Sequence, residues 1–246
     1  METKLMIIIG SLFAFGALLI ALSHKLRQPE SLKRKRDWTK YGVYLFLVVS
    51  LLVIACFSRL LLALILGVIS IAGSFELYRN LRNRNLFPFG LSLGLFFLLT
   101  FCLGHLLLGN AGEWFSVFAF VFVLVATSDS FSQLWGKLLG NHKLCPHLSP
   151  GKTLEGLIGG ILSTIAISLL LGFLIPGVNF FHLILMALII GASAAGGDLL
   201  FSYIKRRIGI KDFSGILPGH GGILDRFDSL IVTAPVFYWT RVLIFS

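Results

Sequence analysis

The chain has 246 residues, of which 57% are hydrophobic and only 13% are charged, and its formal net charge is +10. A typical soluble domain has about 25% charged residues, so this chain lacks the polar groups to cover a globular surface in water. The composition also excludes an intrinsically disordered chain and a disulfide scaffold, because apolar residues are abundant and there are only three cysteines.

Long apolar segments follow one another along the whole chain. A membrane-spanning helix needs about 20 mostly apolar residues. By this criterion the sequence predicts an all-α, polytopic integral membrane protein with about eight transmembrane helices, at 5–23, 41–57, 60–78, 87–108, 114–131, 154–175, 180–197 and 225–245. The second and third helices are expected to form a tight hairpin, because only Ser58 and Arg59 separate them.

The distribution of basic residues between these helices indicates the orientation of the chain. Lys and Arg concentrate in alternate connecting segments, and the other segments contain little beyond Lys4, Arg59 and Arg241. Cytoplasmic loops of membrane proteins carry an excess of Lys and Arg, so we expect four cytoplasmic segments, 24–40, 79–86, 132–153 and 198–224. Both termini then lie on the opposite side. Topology accounts for the positive charge, and no nucleic-acid partner is expected.

Six of the eleven carboxylates lie within or at the ends of the apolar segments: Glu76, Asp129, Glu155, Asp198, Asp225 and Asp228. Ionisable groups are costly in a membrane and are therefore functional candidates. All six are near the predicted cytoplasmic ends of helices, which indicates one polar site near the cytoplasmic side. For Glu76 we favour an interfacial residue solvated by headgroup water, whereas the other five belong to polar clusters.

The first polar cluster is the segment SPGKTLEG at residues 149–156. Pro150 and Gly151 predict a loop, and a helix is expected to begin directly after it. A helix N-terminus beside Lys152 would suit a phosphate group. The pattern is equally typical of a Ser/Thr helix cap in which Glu155 completes a capping box.

The second cluster extends over residues 196–212. If the helix continues past Asp198, then Ser202 and Lys205 share its face at the i+4 and i+7 positions. Ser202 and Lys205 also have the spacing of a Ser/Lys nucleophile pair. That spacing is common by chance, so covalent serine chemistry is not expected.

The third cluster is the segment PGHGGILDRFD at residues 218–228. Glycines around His220 let the backbone approach a ligand closely. Asp225 and Asp228 project from one face of the following helix and, with Asp198, would supply the hard oxygen ligands that suit Mg²⁺. The alternatives are a plain turn for the glycines and ion pairs with Arg226 or Lys211 for the aspartates.

Residues 202–228 resemble the signature segment of the phosphatidate cytidylyltransferases (CDP-diacylglycerol synthases). The matching positions are Ser202, Lys205-Arg206, Lys211-Asp212, Ser214, Pro218, His220-Gly221-Gly222, Asp225-Arg226 and Asp228. The 149–156 cluster looks like the second motif of the same family. One departure is Ser132-Gln133, where the family usually shows Ala-Tyr after the aspartate at position 129.

The resemblance covers about 114–240 and divides the chain into two regions. Residues 1–110 would form N-terminal transmembrane helices with weak family resemblance, and residues 111–246 a catalytic transmembrane region.

The resemblance implies a nucleotidyltransferase that transfers CMP from CTP to phosphatidate, giving CDP-diacylglycerol and pyrophosphate in phospholipid biosynthesis. It also implies Mg²⁺, with a second, monovalent cation such as K⁺. The implied catalytic residues are Lys152, Lys205 and Asp228, and the implied metal ligands are Asp198 and Asp225. The implied substrate-binding residues are Ser149, Thr153, Glu155, Ser202, Arg206, Lys211, Asp212, His220, Gly221, Gly222 and Arg226.

The expected location is a bacterial inner membrane, with the site open to the cytoplasm for CTP and to the bilayer for phosphatidate. Two other functions are compatible with the residues: a CTP-dependent transferase for another lipid phosphate, and a transporter that uses the buried carboxylates. Clustering of the carboxylates at one side and the lack of an inverted repeat argue against transport. A homodimer is compatible with the sequence, although no residue pattern specifies it.

Overall fold

The computed structural model of the protein describes residues 2–27, 31–82, 114–216 and 221–245. The helices are α1 (Glu2–Arg27), α2 (Ser31–Phe57), α3 (Arg59–Leu81), α4 (Trp114–Leu139), α5 (Leu154–Leu170), α6 (Phe180–Arg207) and α7 (Leu224–Phe245). A short ribbon of β1 (Lys143–Cys145) and β2 (Ser149–Thr153) connects α4 to α5, and a 3-10 turn (Gly172–Leu174) follows α5. The expected all-α fold is confirmed.

Five helices of the described ranges are long and apolar enough to cross a membrane: Thr3–Leu26, Ser31–Phe57, Arg59–Leu81, Trp114–Leu139 and Phe180–Arg207. Helix α5 is apolar but has only 17 residues, a length of about 25 Å, which is short for a hydrocarbon core of about 30 Å. The predicted span at 87–108 lies outside the described residues. The chain is an integral membrane protein, and the expected number of eight spans stays a prediction.

The starts of α3 and α5 are both capped by a hydroxyl side chain. Helix α2 ends at Phe57 and α3 begins at Arg59, so the predicted helical hairpin is confirmed. Ser58 caps α3, because its Oγ accepts a hydrogen bond from the N–H of Leu61 at 3.2 Å. Thr153 caps α5 in the same way, since its Oγ1 accepts from the N–H of Gly156 at 3.2 Å.

The loop predicted around Pro150 and Gly151 is instead strand β2. It pairs antiparallel with β1, with Cys145 opposite Ser149 and Lys143 opposite Thr153. A ribbon of two strands has two free edges, and a proline without an N–H is tolerated at a free edge.

Helix α4 lies at the centre of the fold, where it contacts α1, α2, α5, α6 and α7. Its residues from Val117 to Val125 are all buried. Glycines let α5 approach it closely: a Cβ on Gly156 would lie 2.6 Å from the carbonyl oxygen of Ser132, and one on Gly159 would lie 2.5 Å from the Trp135 ring. Small residues are the usual device for close helix packing in membranes.

The same device joins α6 to α7. A Cβ on Gly197 would lie 2.9 Å from the carbonyl oxygen of Asp228. This close approach places Asp198, the next residue of α6, beside the first turns of α7. The acidic and basic residues of both helices are thereby brought to one region.

Candidate active site

A buried ion pair connects α6 to the start of α7. Nζ of Lys205 donates to Oδ1 of Asp225 at 2.7 Å, and both side chains are buried. Oδ2 of Asp225 accepts from the N–H groups of Phe213 and Gly222, each at 2.9 Å. The Lys205 ammonium also lies 5.5 Å from the centre of the Phe213 ring, a cation–π contact. Asp225 therefore connects the backbone at Phe213 and Gly222, which lie between the two helices, to Lys205.

Glu76 of α3 holds the same segment from the other side. Its buried carboxylate accepts hydrogen bonds from the N–H of Ile223 at 3.0 Å, the N–H of Leu224 at 2.9 Å and Oγ of Ser214 at 2.6 Å. Backbone N–H groups at a helix start have no partner within the helix, so Glu76 stabilises the N-terminus of α7. The expected interfacial, headgroup-solvated position of Glu76 is wrong.

Gly221 and Gly222 pass between these two carboxylates. Gly221 has a φ of +83°, a conformation that favours glycine, and a Cβ there would lie 2.9 Å from Oδ2 of Asp225. A Cβ on Gly222 would lie 2.6 Å from Oε2 of Glu76. Both positions thus leave little room for a side chain beside the two carboxylates, and the positive φ favours glycine at position 221.

A second ion pair connects the ribbon to α6. Nζ of Lys152, at the end of β2, lies 2.7 Å from Oδ2 of Asp198, and the two side chains are 22% and 38% exposed. Oγ of Ser202 donates to Oδ1 of Asp198 at 3.4 Å. Because α6 continues to Arg207, the expected shared face of Asp198, Ser202 and Lys205 is confirmed.

Two further aspartates lie next to this pair. Asp129 of α4 accepts from Oγ of Ser229 at 3.1 Å, and the backbone N–H of Ser229 donates to Asp228 at 2.9 Å. Asp129 and Asp228 are within electrostatic range of each other and of Asp198. Three carboxylates from α4, α6 and α7 thus lie beside the lysines of β2 and α6, and the lysines are the groups of this cluster that suit contact with a phosphate.

The arrangement does not form a ready metal centre. Among the residues that the structure describes, no three His, Cys, Asp or Glu side chains are grouped to hold a metal ion. The two expected ligands are engaged by lysines, Asp198 by Lys152 and Asp225 by Lys205. Metal binding at these positions would require the two ion pairs to rearrange, and metal binding by Asp198 and Asp225 stays a prediction.

Several predicted substrate-binding residues have other contacts. Glu155 is at the second position of α5 and does not complete a capping box; its Oε1 lies 2.6 Å from Nδ1 of His142, whose backbone N–H also donates to it. Arg206 is exposed and donates to the carbonyl oxygens of Leu148 and Ile210, both at 3.1 Å. These contacts hold the ribbon against the helices.

The remaining predicted residues are spread around the site. Ser149 is half-buried in β2, Lys211 and Asp212 are exposed, and Arg226 lines a cavity between α1, α2 and α4. The N–H of Gly222 donates to Asp225, so this N–H could bind a phosphate only after that hydrogen bond breaks. The expected role of this backbone in phosphate binding stays a prediction. His220 lies outside the described residues.

The sequence alone did not single out Glu76 as part of the site. Its only signal was a carboxylate in an apolar segment, which an interfacial position explains equally well. Its contacts are 138 to 148 residues away along the chain, and no local spacing can reveal them.

Comparison with known proteins finds a family model and several relatives that match the part of the chain containing this site. The model of the Cytidylyltransferase family matches residues 89–244, which include every predicted site residue. The chain is 42% identical over 118 residues to a phosphatidate cytidylyltransferase of Staphylococcus epidermidis, covering 48% of this chain and 45% of that protein. It is 41% identical over 130 residues to one of Rickettsia felis, covering 50% of this chain and 57% of that protein.

A third relative is the uncharacterised protein YnbB of Escherichia coli. It is 49% identical over 120 residues, which cover 49% of this chain and 40% of that protein. The chain spans about half the length of the curated relatives it matches.

Proposed function

Because the chain belongs to the cytidylyltransferase family, we propose that it transfers CMP from CTP to phosphatidate, giving CDP-diacylglycerol and pyrophosphate. The observation that carries the proposal is the meeting of Lys152 and Lys205 with Asp198, Asp225 and Asp228 between β2, α6 and α7. All of these residues lie within the segment that the family model matches. Relatives named phosphatidate cytidylyltransferase support the choice of lipid.

The proposed reaction is an in-line displacement at phosphorus. A phosphate oxygen of phosphatidate attacks the α-phosphorus of CTP and forms a new P–O bond. The bond from the α-phosphorus to the oxygen that bridges it to the β-phosphorus breaks, and its electron pair leaves with pyrophosphate. Two anions must approach each other, so positioning and electrostatic stabilisation dominate the barrier.

The lysines supply the positive charge in this proposal. Each ammonium lies 2.7 Å from a carboxylate, which fixes its position before substrate arrives. When the phosphates of CTP replace the carboxylate beside Lys152, the ammonium faces the negative charge that develops in the transition state. Lys152 would bind the phosphates of CTP. Lys205 with Asp225 would hold Gly221 and Gly222, the glycine segment, beside these phosphates.

A requirement for Mg²⁺, with a second cation such as K⁺, is part of the proposal. It is supported by the family resemblance and by the charge of CTP, whose phosphates commonly take Mg²⁺ with one or two carboxylates. Turnover should be lost with EDTA and restored by Mg²⁺, and omission of K⁺ should lower it. Turnover unchanged by EDTA would remove Mg²⁺ from the proposal.

The proposed location is a bacterial inner membrane with the site facing the cytoplasm. The alternation of basic segments and the bacterial sources of the relatives support it. A homodimer is proposed as well, and light scattering of the purified protein in detergent measures it.

The deciding experiment uses the purified full chain, labelled CTP and a panel of lipid phosphates. We expect lipid-linked CMP with phosphatidate and equimolar pyrophosphate. Transfer to a polyprenyl phosphate or an ether lipid phosphate, but not to phosphatidate, would support the alternative lipid transferase. No lipid-linked CMP with any member of the panel would contradict the proposed function.

A further inference from the structure

A partly open cavity of about 220 Å³ lies between α1, α2 and α4, next to the polar site. One part of its wall is apolar and includes Leu12, Phe13 and Val48. The other part is polar and carries several charged side chains. An apolar cavity with a few convergent polar groups is the usual form of a ligand site, and this combination suits an amphiphile with a charged head.

Positive charge enters the cavity from three helices: Lys40 of α2, Lys137 of α4 and Arg226 of α7. Two carboxylates, Asp37 and Asp129, also line the cavity beside these three basic side chains. The Asp37 carboxylate lies 3.1 Å from Nζ of Lys137 and 3.2 Å from Nε2 of His24. Lys40 is within electrostatic range of both Lys137 and Arg226. Repulsion between like charges in such surroundings is relieved when an anion binds among them.

Asp129 joins the cavity to the site of the proposed reaction. It lines the cavity, accepts a hydrogen bond from Ser229 and is within electrostatic range of Lys152 and Asp228. A head group that lies beside Arg226 is therefore on the side of the cavity that borders the site of the proposed reaction.

Lys40 and the part of the apolar wall that α1 and α2 supply come from outside the segment that the family model matches, which is 89–244. Tyrosines hold this wall in place. The hydroxyl of Tyr44 donates to the carbonyl oxygen of Ala126 at 3.0 Å, and that of Tyr41 donates to the carbonyl oxygen of Phe13. Helices α1 and α2 thus add this chain's own surface to the edge of the family's site.

We propose that this cavity binds the lipid substrate, with Lys40 and Arg226 contacting the phosphate monoester of phosphatidate and the first part of its acyl chains lying along α1 and α2. The inference rests on the proposed function and assigns Lys40 a role in specificity. A phosphate monoester carries about −1.5 to −2 charges at neutral pH, so two cations discriminate it from neutral and singly charged lipids.

Kinetics of the full chain in mixed micelles test the role of Lys40. Lys40→Met should raise the KM for phosphatidate about tenfold, the loss expected for one charge-assisted contact, and leave the KM for CTP within about twofold. Lys40→Arg should recover part of the loss, because it keeps the charge. Lys33→Met is the matched control, since it removes a charge from the exposed part of the same helix and should match the wild type.

Photolabelling locates the lipid directly and does not depend on turnover. Phosphatidate with a diazirine near the start of one acyl chain should label α1 and α2 in the wild type and in Lys33→Met, and several-fold less in Lys40→Met. Unlabelled phosphatidate should compete, and glycerol 3-phosphate should not. Size-exclusion profiles establish that the compared variants are folded.

The outcomes separate the two proposals. Lipid-linked CMP from the wild type, with equal labelling and equal KM in Lys40→Met and Lys33→Met, would overturn the cavity assignment and leave the proposed function standing. Lys40-dependent labelling of α1 and α2 without lipid-linked CMP would support the cavity and contradict the proposed function. Labelling confined to other helices would overturn the cavity assignment.

Discussion

At the scale of single residues, the two lysine–aspartate pairs differ in their surroundings. The side chains of Lys205 and Asp225 are 11% and 2% exposed, whereas those of Lys152 and Asp198 are 22% and 38% exposed. Breaking a buried pair leaves a charge without a partner in a medium of low polarity, which is strongly destabilising. Asp198 is more than a third exposed, so it can turn to water when a phosphate takes its place beside Lys152, and this exchange costs less than breaking the enclosed pair. Lys152 is therefore the better candidate to contact CTP, and Lys205 to hold the structure around it.

Replacing Lys152 by Met tests its role in the transition state. This change keeps the stem and removes the charge, so kcat should fall more than about tenfold, or about 1.4 kcal/mol, with a smaller change in the KM for CTP. Lys152→Arg should recover part of the activity, because a planar guanidinium replaces a point charge only in part. CMP incorporation into phosphatidate at saturating Mg²⁺ is the measurement.

Lys143→Met is the control for Lys152. Lys143 is exposed on the paired strand of the same ribbon. Its loss should leave turnover within about twofold, as for an exposed charge. If Lys152→Met behaves like this control, Lys152 does not contact the reacting phosphates.

A single and a double substitution test the pair of Lys205 and Asp225. Asp225→Asn should lower turnover about 10²–10³-fold and destabilise the protein by about 3–5 kcal/mol, because the buried ammonium loses its counter-charge. Lys205→Met combined with Asp225→Asn should regain most of that stability and stay inactive. Thermal unfolding in detergent and turnover are measured together, and wild-type stability of Asp225→Asn would show that the pair is not structural.

At the scale of helices and strands, the site depends on how closely the elements approach one another. Gly197 lets α6 approach α7, Gly156 and Gly159 let α5 approach α4, and the ribbon is held to α5 by the contact of Glu155 with His142. Helix α3 reaches the start of α7 through Glu76. The positions of the charged groups thus follow from backbone contacts made elsewhere on the same helices.

Two adjacent glycines of α6 provide a matched test of this dependence. A Cβ on Gly197 would lie 2.9 Å from a backbone oxygen of α7, whereas one on Gly196 would meet nothing within 4 Å. Gly197→Ala should destabilise the protein by about 1–3 kcal/mol and lower turnover, because α6 and α7 must move apart. Gly196→Ala should be neutral or stabilising by up to about 1 kcal/mol. Equal stability of the two variants in thermal unfolding would contradict the close packing.

Glu76→Gln tests the contact from α3. The amide keeps one acceptor oxygen but loses the second acceptor and the charge, so the N–H groups of Ile223 and Leu224 should lose about 1–3 kcal/mol of stabilisation. Hydrogen exchange should become faster at these two amides, and kcat should fall. Slow exchange at both amides in the variant would mean that Glu76 does not hold the start of α7.

At the scale of the whole molecule, the N-terminal helices contribute side chains to the polar site and to the cavity beside it. They lie outside the 89–244 segment, yet Glu76 of α3 contacts the glycine segment, and α1 and α2 form a wall of the cavity beside Asp129. The expected division at residues 110 and 111 stays a prediction. The structure shows that contacts cross it at the site.

Orientation in the membrane is tested by cysteine labelling in a background without the native cysteines. A cysteine at Lys143 should resist a membrane-impermeant thiol reagent in intact cells and react after permeabilisation, because the ribbon lies in a segment expected in the cytoplasm. A cysteine at Arg59, the first residue of α3, should react in intact cells. Labelling of position 143 in intact cells would reverse the topology.

The sequence by itself determined the features that depend on neighbouring residues. Apolar segments identified the described membrane helices, Ser58 marked the hairpin between α2 and α3, and the i, i+4 and i+7 spacing placed Asp198, Ser202 and Lys205 on one face. Helical geometry is periodic, so residue spacing alone is enough to decide such relations.

Only the tertiary structure decided which residues are partners across helices. It showed that Lys205 pairs with Asp225 and that Lys152 pairs with Asp198. It also showed a strand in place of the expected loop at Pro150, and a contact of Glu76 with the backbone of α7. In a membrane these partners are chosen by the packing of small residues and by the need to satisfy every buried polar group, and both depend on residues that are distant along the chain.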